Sequence, residues 1–150
     1  MKIEIKRTFI TEDAIDGTLC IDNQYFCDTV EHGPTSLPVG PYRIVRHFCK
    51  QYKRYMPLIV SDPYRASPAS RCEHCQPLET ISSNTPLPVY CPMLKPGNGV
   101  NGRTDGSIIM GTQIVPGCLG HPSQVFELFA ERIRKASKKT TDVSLIITES

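Results

Sequence analysis

A chain of 150 residues with 39% hydrophobic and 21% charged content is of a size and composition for one globular domain with a core of its own. A formal net charge of +2 is too small to argue for nucleic acid or an anionic membrane as a partner, and no window approaches the ~20 apolar residues of a membrane-spanning helix. Seven cysteines, an odd number, argue for reduced thiols in a cytoplasm rather than a secreted disulfide scaffold.

At the N-terminus Met1, Ile3, Ile5 and Phe9 fall on one parity and Lys2, Glu4, Lys6 and Thr8 on the other, which predicts a half-buried strand. The same alternation lacks the apolar run of a signal peptide, so the chain reads as cytoplasmic. Asp16-Gly17 suggests a turn. Residues 18–21 and 24–30 flank Asp22-Asn23, a pair suited to a two-residue hairpin because both tolerate left-handed backbone. Gly33-Pro34 through Pro41 punctuates the chain again, and β-formers follow over 42–48 and 58–60.

Between 61 and 92 the character changes. Pro63, Pro68, Pro77, Pro86, Pro88 and Pro92, with Pro57 just before, sit among Ser, Thr and Asn. Proline at that density breaks helices and central strands alike, so a long irregular insertion is expected within a single domain spanning 1–150. Residues 89–94 then read as a strand leading into a glycine loop over 94–111, L-K-P-G-N-G-V-N-G-R-T-D-G-S-I-I-M-G. Gly97, Gly99, Gly102, Gly106 and Gly111 are spaced by Lys95, Asn98, Asn101, Arg103, Asp105 and Ser107. Glycines permit positive φ and close approach, which makes such a loop a natural place to hold a site.

After the loop, 108–110 reads as a buried strand and 111–120 as a turn-rich connection. Pro122 suits the first turn of a helix, and Val125, Phe126, Leu128, Phe129 and Ile133 follow at helical spacing to about Ser137. The basic cluster Arg132, Arg134, Lys135, Lys138 and Lys139 reads as a solvated face near the negative helix end. Val143, Leu145 and Ile147 alternate with polar residues and predict a closing strand. The sum is a mainly β (α+β) domain, a mixed sheet or sandwich, with one C-terminal helix.

Three segments in order carry a resemblance. L-P-V-G-P-Y-R-I-V (37–45) is similar to the T-P-x-G-x-Y-x-I segment of L,D-transpeptidase catalytic domains. K-P-G-N (95–98) and D-G-S-I-I-M-G (105–111) resemble the H-x-G-N and D-T-x-G-C-I-L-x-G block of a small uncharacterised domain family of phage and Bacteroidetes genomes, itself similar to the transpeptidase site. The resemblance implies a transpeptidase-like fold, a phage or mobile-element origin and a peptide or cell-wall fragment as partner. It also implies acyl transfer, with a cysteine thiolate as nucleophile, a histidine as base and backbone N–H groups of the turn holding the oxyanion. Both essential positions differ here. Ser107 replaces the cysteine and Lys95 the histidine, so the expected function is a degenerate, non-catalytic binder at the loop. In that case Asp105 caps the turn, Gly106 supplies positive φ, Ser107 starts a buried strand, and Lys95 is solvated. The alternative is a serine acyl transferase or hydrolase using Ser107 with Lys95 as base, beside Asn98, Asp105 and Gly106. That needs desolvation to lower the lysine pKa by several units.

Cysteines offer a third possibility. Cys72 and Cys75 form a C-x2-C pair, and Cys118 and His121 a C-x2-H pair, together the donor set of tetrahedral zinc. A zinc ion would order the Pro-rich segment and make the chain an interaction module; otherwise no cofactor is implied and the cysteines act as small hydrophobes. Cys20 and Cys27 lie on the two arms of the first hairpin, but a reducing setting argues against pairing. His32 and His47 read as ordinary structural residues. Tyr52, Tyr55 and Tyr64, with Lys53, Arg54 and Arg65, read as a partly exposed hairpin edge, the alternative being the lining of a groove.

Overall fold

The Asp22-Asn23 turn sets the first register. In the computed structural model, which describes residues 1–49, 52–61, 92–99, 106–138 and 143–149, Asp22 and Asn23 have φ of 48° and 69°. Left-handed backbone at both central positions matches the twist of the flanking strands. The Asp22 N–H donates to the Lys2 carbonyl at 2.8 Å, and the Lys2 N–H donates to Asp22 Oδ1 at 2.9 Å. The turn is thereby tied to the start of β1 (Lys2–Ile10), which pairs antiparallel with β2 (Ala14–Ile21), and β2 pairs with β3 (Gln24–His32).

A second hairpin joins β4 (Gly40–Cys49) to β5 (Arg54–Ser61), longer than the 58–60 segment expected. The short β6 (Leu94–Pro96) runs parallel to β7 (Ile108–Val115), and β7 turns back into β8 (Cys118–Gly120). The closing strand β9 (Val143–Glu149) lies between β1, to which it is parallel, and β4. The strand path is β5-β4-β9-β1-β2-β3-β7-β6. At its ends the Ile59 N–H donates to the Pro92 carbonyl at 2.8 Å and Leu58 bridges Met93. The arrangement is therefore one mixed sheet curled until its ends meet, mainly β as expected. The first half of the predicted strand at 89–94 falls outside the described residues, as does most of the Pro-rich insertion, while Leu94 begins β6.

The helix α1 (Pro122–Lys138) packs one face against the sheet and leaves the other to solvent. Phe126, Phe129, Ile133 and Ala136 form its buried stripe, packed in one cluster with Ile3, Ile5, Leu19, Ile108, Met110, Leu145 and Ile147. Phe129 meets Phe26 of β3 with ring centroids 6.0 Å apart. Leu128, expected on that stripe, is exposed instead, because it lies about 100° round the helix from Phe129. No helix among the described residues is long and apolar enough to cross a membrane.

Three further expectations are corrected. Asp16-Gly17 is not a turn but the middle of β2; the chain turns at 11–14, where the Thr11 N–H and hydroxyl both donate to the Ala14 carbonyl. Gly17 answers to crowding, since a Cβ there would lie 2.8 Å from the Lys6 carbonyl oxygen and 2.9 Å from Thr29 Oγ1. Phe9 leaves the inner face: Arg7 pairs with Gly17 but Phe9 with Asp16, so Thr8 is an extra residue and Phe9 is 51% exposed. Segment 111–120 is a strand hairpin, with Gly117 at φ 81° in its turn. Gly111 stays within β7 because β8 runs so close that a Cβ would meet the Gly120 carbonyl oxygen at 2.8 Å.

Candidate functional site

Of the glycine loop, 94–99 and 106–111 are described; Asp105 lies outside the described residues. The parallel pairing of β6 with β7 sets Lys95 beside Ile109 and brings Ser107 in just ahead of β7. Ser107 is 1% exposed, and its Oγ accepts the Met93 N–H at 3.1 Å. The Met93 carbonyl accepts the Ile108 N–H at 2.8 Å, so the two residues at the head of β7 satisfy both backbone groups of Met93. The hydroxyl thus works as a backbone acceptor inside the sheet.

Lys95 corrects the expectation of a solvated side chain. It is 5% exposed, with Nζ 5.5 Å from the centroid of the Tyr52 ring. An aromatic face attracts a cation electrostatically and shields it from water, which makes a buried lysine tolerable. Gly106 has φ 79°, as its expected role requires. Asn98 clamps the loop to β8: its Nδ2 donates to the Leu119 carbonyl at 2.9 Å, and its own carbonyl accepts the Leu119 N–H at 2.7 Å. At Gly97 a Cβ would come within 2.7 Å of Ile109 Cγ2, so the loop lies on β7 with room only for hydrogen. The described part of the loop is rigidly seated.

An acyl-transfer serine needs an open face toward a carbonyl carbon and a base on its proton. Ser107 offers the sheet interior instead. Among the described cysteines, Cys27 is poorly suited to act as a nucleophile in its place. The thiol of buried Cys27 is pushed up to about 12, first by burial and then by the charge of Asp28, which keeps it out of the thiolate form. Across the hairpin Cys27 pairs with Leu19 and Cys20 with Tyr25, and both thiols are free.

The zinc reading is only half visible, since Cys72 and Cys75 lie outside the described residues. Cys118 is partly exposed in β8, and His121 is exposed at φ 49°, its carbonyl accepting the Val125 N–H at 3.1 Å. Among the described residues no group of three or more His, Cys, Asp or Glu is gathered for a metal. His32 Nδ1 shares a hydrogen bond with Thr35 Oγ1 at 2.9 Å. His47 is half-buried, its Nε2 has no hydrogen-bond partner among the described residues, and burial lowers its pKa.

Sequence reasoning missed a highly connected polar cluster among the described residues. Arg7 and Glu31 are 3% and 1% exposed. The guanidinium meets the carboxylate as a fork, Nε to Oε2 at 3.0 Å and Nη2 to Oε1 at 2.8 Å. Nη2 also donates to the Leu37 carbonyl, and Nη1 reaches Glu149 Oε1 at 3.3 Å. Arg7 on β1 reaches Glu31 on β3 across β2 because the residue paired with Arg7 is Gly17, which has no side chain to block the way. Burial opposes the charge on Arg7, but its bonds to Glu31 and Glu149 outweigh that and raise its pKa. Burial also lifts Glu31 above the usual carboxylate range, with Arg7 opposing. Nearby, the Tyr42 hydroxyl donates to the Pro38 carbonyl at 2.6 Å and is pushed up to about 12, chiefly by burial. The signal was present: Arg7 shares the parity of Ile3 and Ile5, and Glu31 that of Cys27 and Thr29. A fully enclosed ion pair of this kind ties strands together and leaves no face for a substrate.

No family model, no curated protein and no solved structure matches the chain.

Proposed function

We propose that this chain is a non-catalytic domain of transpeptidase-like ancestry that binds a peptide or cell-wall fragment at the glycine loop. The observation that carries the reading is the state of Ser107, buried to 1% exposure with its Oγ accepting the Met93 N–H. A residue in the nucleophile's place has become part of the sheet. The shielding of Lys95 is a condition a serine–lysine dyad would need, yet a base has no use where the hydroxyl has no open face. The seating of Asn98 on Leu119 favours binding, because a loop fixed in advance loses little entropy when a ligand docks.

Soluble muropeptides from digested peptidoglycan are the probe, titrated into isotopically labelled protein. The expected result is saturable movement of the amide signals of Gly97, Asn98, Gly99 and Gly106. Unmoved loop signals at millimolar muropeptide would overturn the binding assignment.

A further inference from the structure

Away from the glycine loop, the β4–β5 hairpin and α1 enclose a cleft of about 120 Å³. Its floor is apolar, made by Met56, Pro57, Ala130 and Ile133, while Arg46, Arg54 and Arg134 stand around it with Glu127 and Glu131. We propose that this cleft binds an acidic peptide segment, taking one carboxylate on Arg46 and the alkyl stem of that side chain on the apolar floor.

The three guanidiniums are held in different ways. Arg54 is committed to Glu127, with Nη1 to Oε1 at 2.6 Å and Nη2 to Oε2 at 3.3 Å, and lies 5.2 Å from the Phe126 ring centroid. Arg134 is committed to Glu131 through a two-point bond, Nε to Oε2 at 2.9 Å and Nη2 to Oε1. Arg46 has no carboxylate partner among the described residues. It stacks over Tyr55 with its Cζ 4.7 Å from the ring centroid, and Tyr55 is braced edge-on by Phe48 at 5.5 Å. Stacking fixes the plane of the guanidinium and leaves its N–H edges to be used. The planar fork then matches a carboxylate in two-point fashion.

Charge selects the ligand. Three guanidiniums against two carboxylates leave the cleft one positive charge, which suits a single carboxylate. A dianionic phosphate would meet the repulsion of Glu127 and Glu131 and leave the apolar floor uncovered. Tyr55 under the guanidinium and Phe48 against Tyr55 are large, exposed aromatics, the residue types enriched where proteins anchor partners. The cleft shares no lining residue with the glycine loop, so this proposal and the binding assignment there fail separately.

The test is fluorescence anisotropy with a labelled peptide of alternating Glu and Leu, at low salt, on the full chain. Arg46→Gln is the informative variant, because Arg46 is exposed and its loss leaves the core untouched, which urea unfolding would verify. The expected result is saturable binding weakened about tenfold or more by Arg46→Gln, and equally by replacing Glu with Gln in the peptide. Three results would overturn the proposal: no binding by the wild type, equal affinity of Arg46→Gln, or displacement of the peptide by inorganic phosphate at matched concentration and ionic strength. The last would reassign the cleft to simple anions.

Discussion

Arg7→Met is expected to lower the stability of the protein by about 3–5 kcal/mol, because it leaves the Glu31 carboxylate buried without its partner. A buried charge costs most in that position when it is unpaired. The double variant Arg7→Met/Glu31→Leu should therefore recover most of the loss, since an apolar pair of similar volume has no desolvation cost to repay. The pH dependence gives a second reading of the same event. Burial already holds the Glu31 pKa above its ordinary value, and without Arg7 nothing opposes that rise. A carboxyl whose folded pKa is raised favours the folded state as pH falls through that pKa toward the unfolded value. The single variant should thus be most destabilised near neutrality and regain stability on acidification over that window. Urea unfolding across pH measures both effects. A loss under 1 kcal/mol, or a double variant no better than the single one, would show that the fork is not what joins β1 to β3.

The second large effect is expected at Ser107. Ser107→Ala removes the acceptor of the Met93 N–H, a backbone donor on a residue that is itself buried. An unsatisfied buried donor costs about 1–3 kcal/mol, so the variant should unfold at lower urea with an unchanged slope. The sign discriminates. A serine kept for chemistry is held at some expense to the fold, and removing its hydroxyl is neutral or stabilising. A more stable Ser107→Ala would therefore speak for a retained active site.

Periodic features of the fold were legible and paired ones were not. The alternation of Ile3 and Ile5, the Asp22-Asn23 turn and the Phe126-Phe129-Ile133 stripe each state their structure within a few residues. The bulge at Thr8 does not, because the extra residue exists only relative to β2; parity alone therefore puts Phe9 inside and gives no sign of the role of Arg7. Gly17 beside Asp16 has the look of a turn, whereas its purpose is the space it leaves between β1 and β3. Within the site, Gly106 was readable from its own chemistry. Lys95 was not: a lone charged residue reads as solvated, and the Tyr52 ring it meets comes from the β4–β5 connection, far away in sequence. The position of β9 between β1 and β4 is likewise settled by pairings far apart in sequence.

The most direct measurement is whether the folded protein reacts with a fluorophosphonate, followed by intact mass spectrometry. A buried Ser107 that serves Met93 predicts no adduct under conditions that label a serine hydrolase completely. A stoichiometric adduct on the wild-type protein, absent from Ser107→Ala, would contradict the account and make the glycine loop an active site.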